Sequence, residues 1–202
     1  SWTIPSGELN ATAAIKIDLN KIEELGSLYD DYVLPLRITS STGEPMGQNK
    51  YTKVLAHIGF KNDYSGTYSG KGIITQQGTT YTTEITSTQL YAINNDICYM
   101  FVGEKTRANT PDYLNYVVEI KRDEWGGITL SSEVGSLEFK SYNSKLSRKY
   151  TYNYNDQRYY TEITTVELAY EYLDKTQSED LRMTFEGSFS MSRDVLRVEY
   201  PN

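Results

Sequence analysis

The side chains best suited to hold a ligand are concentrated between Tyr142 and Tyr160: Tyr150, Tyr152, Tyr154, Asn155, Asp156, Arg158 and Tyr159, with Tyr142, Asn143, Gln157 and Tyr160 around them. A pyranose ring presents a flat C–H face that stacks on an aromatic ring, and its hydroxyls need amide, carboxylate and guanidinium partners. The period-two spacing of Tyr150, Tyr152 and Tyr154 puts three rings on one face of a strand, with the polar residues following at a hairpin tip. The same pattern also describes a cross-strand aromatic ladder that stabilises a hairpin and ends in a polar turn. Trp125, in Asp123-Glu-Trp-Gly-Gly127, also has two readings, an exposed stacking residue or a plug over the end of a barrel.

Catalytic chemistry finds little support. The single histidine, His57, alternates with apolar residues in a strand-like run, and no serine or cysteine near it in sequence suggests a nucleophile triad. Glycoside cleavage needs two carboxylates across one bond. Glu162 falls on the opposite strand face from Glu167 and Glu171, so all three read as solvated sheet carboxylates. No Cys/His set has zinc spacing, and Asn153, Asn155 and Asp156 are too few acids for a calcium loop. The expectation is a non-enzyme with no metal and no cofactor.

These side chains need rigid elements beneath them. Thr, Ser, Tyr, Ile and Val fill the patterned segments, and helical spacing of apolar residues is scarce, so the chain reads as all-β. Its 19 tyrosines against 5 phenylalanines suit half-exposed sheet positions, where a ring packs while its hydroxyl reaches water. The 202 residues fit one large β domain, or one domain and a smaller companion. A net charge of −7 lacks the basic stripe that a nucleic acid or an anionic membrane surface would require. Cys98, the single cysteine, sits in the apolar run Ile97-Cys-Tyr-Met-Phe-Val102 and reads as a small buried hydrophobe. Ser1-Trp-Thr-Ile-Pro5 has no signal-peptide pattern, so any targeting segment is expected upstream.

Residues 1–60 carry three strand-like segments, 11–19, 32–39 and 51–58, with a helical turn at 21–25 and a Gly/Pro loop at 40–50. Pro35 must sit at a bulge or an edge. Three strands make a poor free-standing domain, so this part is either the tail of a β-sandwich or a small sheet docked on the larger unit C-terminal to it. Trp2 reads as an anchor into the rest of that sandwich.

Beyond the joint at 59–63, strands are expected at 64–74, 79–87 with 88–93 after a kink, 97–103, 114–121, 128–130, 137–142, 149–154, 159–172 and 181–193. Leu181, Met183, Phe185, Gly187, Phe189 and Met191 alternate with polar residues, which makes one dry face and one wet face. Short links imply an up-and-down meander with enough strands to close, the strand around Tyr68 pairing with the one around Phe189. Tyr64-Ser-Gly-Thr-Tyr68 and Phe185-Glu-Gly-Ser-Phe189 share an aromatic-x-Gly-x-aromatic spacing that suits neighbouring strands at a sharp bend.

Ile4-Pro-Ser-Gly-Glu8 and Tyr32-Val-Leu-Pro-Leu-Arg-Ile-Thr-Ser40 resemble the closing strands of an immunoglobulin-like N-terminal domain. That domain occurs in uncharacterised cell-surface lipoproteins of glycan-foraging Gram-negative gut bacteria. The stretch from Tyr64 to Arg193 resembles their C-terminal partner, a lipocalin-like β-barrel domain of unknown function. The first half of the sandwich is missing from the pattern, which implies a truncated N-terminal domain. The resemblance implies a lipid-anchored outer-membrane or periplasmic protein associated with polysaccharide capture, and it carries over no catalytic residue.

The resulting expectation is an all-β protein: the end of an immunoglobulin-like β-sandwich over 1–60, then a lipocalin-like antiparallel up-and-down β-barrel over 61–202. It is expected outside the cytoplasm and held at the membrane only through an upstream lipid anchor. Its expected ligand is a polysaccharide or oligosaccharide bound by Tyr150, Tyr152, Tyr154, Asn155, Asp156, Arg158, Tyr159 and Trp125. The alternative is a structural module that docks a partner protein at the outer membrane.

Overall fold

The computed structural model describes residues 16, 21, 32–37, 53–123, 127–176 and 181–196. The chain divides into two compact units, Ser1–Asp30 and Asp31–Asn202. Lys16 lies outside any strand and Lys21 is helical. The rest of the expected segments at 11–19 and 21–25, the loop at 40–50, Trp2 and Trp125 fall outside the described residues.

In the second unit, β1 (Tyr32–Arg37) and β2 (Lys53–Ile58) form a two-stranded antiparallel sheet with Pro35 opposite Leu55. Pro35 is tolerated there because a two-stranded sheet has only edge strands. His57 lies on β2 and is exposed.

The remaining strands are β3 (Gly66–Gln76), β4 (Thr82–Ala92), β5 (Ile97–Phe101), β6 (Val117–Arg122), β7 (Ile128–Ser131), β8 (Leu137–Ser141), β9 (Lys145–Tyr152), β10 (Tyr159–Asp174) and β11 (Leu181–Leu196). They make one nine-stranded antiparallel sheet in the order β7-β6-β5-β4-β3-β11-β10-β8, with β9 also on β10. β8 and β9 lie end to end along one edge of β10, against Tyr170–Asp174 and Tyr160–Glu167 respectively. The sheet curls into a nearly closed barrel whose seam runs between β7 and the β8–β9 edge, crossed by a bridge from Gly127 to Lys145.

The strand around Tyr68 does pair with the strand around Phe189: Gly70 opposes Phe189, and Gly72 opposes Gly187. The glycines are required by close approach. A Cβ on Gly70 would stand 2.6 Å from Phe189 Cα, and one on Gly187 would stand 2.8 Å from Gly72 Cα. The rings of Phe185 and Phe189 fold into the space that the glycines leave, and a Cβ on Gly72 would meet them at 2.7 and 2.8 Å.

Inside, the barrel is filled. Tyr170 stacks on Phe185 with ring centroids 4.8 Å apart, and Phe185 lies parallel to Phe189 at 6.2 Å. Tyr68, Leu90, Met100, Ile120, Val166 and Leu168 pack around this column. Each such side chain contributes about 1.5–3 kcal/mol when withdrawn from water. The kink expected in β4 appears as a change of phase. Thr82–Ala92 is one continuous strand, yet Ile85 and Leu90 both pack against the core, and the register with β3 shifts by one residue between Ser69 and Gly72.

Most strand boundaries move by one to four residues from expectation, and two of the shifts have a clear local cause. Residues 113–116 form a 3-10 turn ahead of β6 rather than strand, because Asn115 N–H bonds back to Asp112 O at 2.9 Å. β9 begins at Lys145, inside a segment that reads as connector, because Leu146 and Arg148 turn inward while Lys145 pairs with Glu167 at 3.5 Å.

Candidate functional site

The site is built where β9 and β10 form the hairpin at one end of the barrel. The register sets Tyr152 opposite Tyr160 and Tyr150 opposite Glu162. These four share the face that is buried further along β10 at Thr164, Val166, Leu168 and Tyr170. At the hairpin end this face opens to solvent, with Tyr150 37% and Tyr152 36% exposed. Tyr154, just past the strand, is 88% exposed.

Tyr152, Tyr154 and Tyr160 form an edge-to-face cluster, with centroids 5.2 Å apart for Tyr152–Tyr154 and 6.4 Å for Tyr152–Tyr160. Aromatic rings favour this geometry because a positive ring edge meets a negative face. The cluster forms the cross-strand ladder of the hairpin and leaves ring surface of Tyr152 and Tyr154 open.

The turn beside it is held locally. Asn153 Oδ1 accepts hydrogen bonds from the N–H groups of Asn155 and Asp156 at 3.0 and 3.2 Å, and its amide donates to Asp194 of β11 at 3.1 Å. Arg158 donates from Nη2 to Asp156 Oδ2 at 2.6 Å and from Nε to Oδ1 at 3.0 Å. These hydrogen bonds hold the Asp156 carboxyl at a pKa of about 2. The Arg158 guanidinium also lies over the Tyr159 ring, 5.6 Å from its centroid.

Of the expected site residues, the structure therefore gathers Tyr150, Tyr152 and Tyr154, with Asn155 exposed at the turn. Asp156 and Arg158 occupy one another, and Tyr159 points to the opposite face of β10 from Tyr160.

Beneath the tyrosines lies a charged group of Glu162, Arg193, Arg148 and Asp63. Glu162 is fully buried, which corrects the solvated-carboxylate reading. It faces Arg193 in register on β11 and accepts a hydrogen bond from Arg193 Nε at 2.9 Å and another from Thr164 Oγ1 at 3.2 Å. Arg148 lies 4.0 Å from the same carboxylate and 3.3 Å from Asp63, and Asp63 also pairs with Arg193 at 3.7 Å. Burial pushes the Glu162 pKa up, but hydrogen bonds from Tyr150 and Arg193 and the charges of Arg193 and Arg148 outweigh it and hold it below the usual value. An acid held this way is a poor proton donor. Glu167 and Glu171 face outward, where Glu171 accepts from Tyr142 at 3.0 Å and pairs with Arg182. These three acids therefore do not flank a common ligand.

The signal for this group is present in the sequence. Arg148, Glu162 and Arg193 each take a position that the period-two pattern of β9, β10 or β11 assigns to the dry face, and a charge there calls for a buried partner.

The fold is a nearly closed antiparallel β-barrel, with a tyrosine cluster on the β9–β10 hairpin set over a buried carboxylate and its arginine partners. A protein-family model described as "-like, C-terminal" matches residues 52–190, more than half of the chain, and the chain belongs to that family. A comparison with curated proteins finds no match.

Three solved structures share the fold. One is a structural-genomics protein of unknown function from Bacteroides ovatus, 17% identical with a TM-score of 0.69 over 84% of this chain and 60% of its own. Another is an auxiliary nutrient binding protein from Bacteroides thetaiotaomicron, 18% identical with a TM-score of 0.66 over 84% of this chain and 59% of its own. The third is a multidomain protein including DUF1735 from Bacteroides ovatus, 16% identical with a TM-score of 0.60 over 70% of this chain and 61% of its own. The chain thus spans about three-fifths of the length of each.

Proposed function

We propose that this protein is a non-catalytic binding protein that captures glycan through the β9–β10 hairpin. The carrying observation is the cluster of exposed Tyr152 and Tyr154 with half-buried Tyr160 beside the turn at Asn155. Tyr152 and Tyr154 supply ring surface for the C–H faces of sugar rings, and Asn155 with the tyrosine hydroxyls supplies hydroxyl partners. Glu162, Arg148 and Arg193 set the position of Tyr150 from below rather than touching the ligand.

The reading is supported in kind by the nutrient-binding name of one structural neighbour. An extracytoplasmic setting, a lipid anchor upstream, a role in polysaccharide capture and a division into a sandwich remnant over 1–60 and a barrel over 61–202 belong to the same proposal.

The exposure of Tyr154 also favours a second reading, a docking surface for a partner protein, because exposed tyrosines are common anchors of protein interfaces. Electrophoresis in gels cast with different polysaccharides separates the two. Retardation by at least one polysaccharide, lost in Tyr152→Ala/Tyr154→Ala, is the expected result. A wild-type protein that no polysaccharide retards would contradict glycan capture and leave the docking role.

A further inference from the structure

Away from the hairpin, a cavity of about 320 Å3 opens beside β4, walled by the loop that succeeds β5. Its volume lies at the lower end of the roughly 300–1,000 Å3 usual for small-molecule sites. A regular strand shows alternate residues to one side, yet six consecutive residues of β4, Glu84–Gln89, line this cavity. The register with β3 shifts by one residue at this point, as at a β-bulge.

The floor is apolar, formed by Ile85, Tyr91 and Phe101, and Tyr91 is fixed by stacking on Tyr99 at 4.9 Å. The loop wall is braced by its own hydrogen bonds and ring contacts. Thr106 N–H donates to Asn109 Oδ1 at 2.8 Å, Asn109 Nδ2 donates to Glu104 O at 2.9 Å, and Arg107 lies over the rings of Tyr91 and Tyr113 at 5.2 and 5.5 Å.

The charges at the rim are largely occupied. Glu84 pairs with Lys71 at 2.7 Å, and the Lys105 ammonium sits 4.6 Å above the Tyr116 ring. What remains toward the cavity is hydroxyl and amide chemistry: Thr67 donates to Gln89 Oε1, and Gln89 Nε2 makes a long contact of 3.4 Å to Leu90 O. The Glu104 carboxylate, exposed on the loop, disfavours an anion and accepts hydroxyl donors. Across the same loop, Glu104 and Lys105 also border a second cavity of about 280 Å3, with Tyr81, Tyr172 and Asp174.

We propose that the β4 cavity is a separate ligand site for an uncharged, hydroxyl-rich molecule, the end of a neutral oligosaccharide, with Gln89, Thr67 and Glu104 as its hydroxyl partners. The ligand reaches over the Glu104–Lys105 rim toward the second cavity. The site shares no residue with the hairpin and stands whether or not the hairpin binds.

The test is amide NMR of the 15N-labelled chain titrated with maltotriose, cellotriose, xylotriose and mannotriose, and with trigalacturonic acid as the charged comparison. At least one neutral sugar is expected to shift Thr86–Gln89 and Glu104–Thr106, and Gln89→Leu is expected to weaken it roughly fivefold or more, the effect of one lost hydrogen bond. The rest of the variant's spectrum should be unchanged, because Gln89 is half-exposed and outside the core. Shifts confined to Tyr150–Tyr160 would overturn the β4 site and leave the hairpin reading standing. No shifts with any neutral sugar, or tighter binding of trigalacturonic acid, would overturn it as well.

Discussion

Glu162 and Arg193 face each other across β10 and β11, joined by a 2.9 Å hydrogen bond inside the barrel, where Glu162 has no exposed surface. A buried ion pair adds little net stability when well made, but removing one partner strands the other. Glu162→Gln removes this counter-charge from Arg193 and Arg148, which keep Asp63, and is expected to cost about 1–3 kcal/mol in urea unfolding at pH 7. Replacing Glu162 and Arg193 together by leucine should recover much of that loss. A single variant as stable as the wild type would show that the pair is not formed.

The same pair sets a pH dependence. Glu162 is held below its ordinary value in the folded protein, so its contribution is fully present above the unfolded value of about 4.3 and is lost as pH falls through the folded value. The urea midpoint of the wild type should therefore fall between pH 6 and pH 3 more steeply than that of Glu162→Gln. Parallel pH profiles for the two proteins would contradict the assignment.

The pairing of β3 with β11 depends on bare glycine. Gly70→Ala drives a Cβ toward Phe189 Cα and the Ser188 carbonyl, and both are backbone that cannot swing away. Overpacking of this kind costs about 1–3 kcal/mol or more. Gly135→Ala, where nothing lies within 4 Å, should be neutral or slightly stabilising. Thermal unfolding of the two variants beside the wild type checks this, and equal melting temperatures would undo the proposed pairing of the strands.

Cys98 is fully buried, and burial pushes its thiol up to about 12 despite the hydrogen bonding with Asn62. A thiol so placed is almost never a thiolate at neutral pH. Alkylation by iodoacetamide is expected to be negligible in the native protein at pH 8 and complete in urea. Rapid labelling of the folded protein would show that this part of the core opens.

The barrel closure is legible in the sequence because it rests on local pattern. Alternation in Leu181–Met191 and the glycines flanked by Tyr68 and Phe189 each specify a dry, bent strand, and two such strands find each other. The interior charge is not legible in the same way. Glu162 lies 31 residues from Arg193, and only the register between β10 and β11 shows that the two positions coincide. Taken alone, the dry-face parity of Glu162 calls for a buried partner without naming it. Tyr159 groups with the platform in sequence but not in space for a related reason, since the chain reverses at 153–158 and the parity of β9 does not carry into β10. The 3-10 turn at 113–116 is hidden because Leu114, Tyr116 and Val118 alternate as a strand would.

Titration calorimetry tests the central claim most directly, using the polysaccharide fragment that retards the wild-type protein most. Tyr152→Ala and Tyr154→Ala remove exposed rings and should each weaken binding by about 1–2 kcal/mol, roughly 5- to 30-fold in Kd, with the urea midpoint of Tyr154→Ala close to wild type. Wild-type affinity in the double variant would contradict a glycan platform on the β9–β10 hairpin.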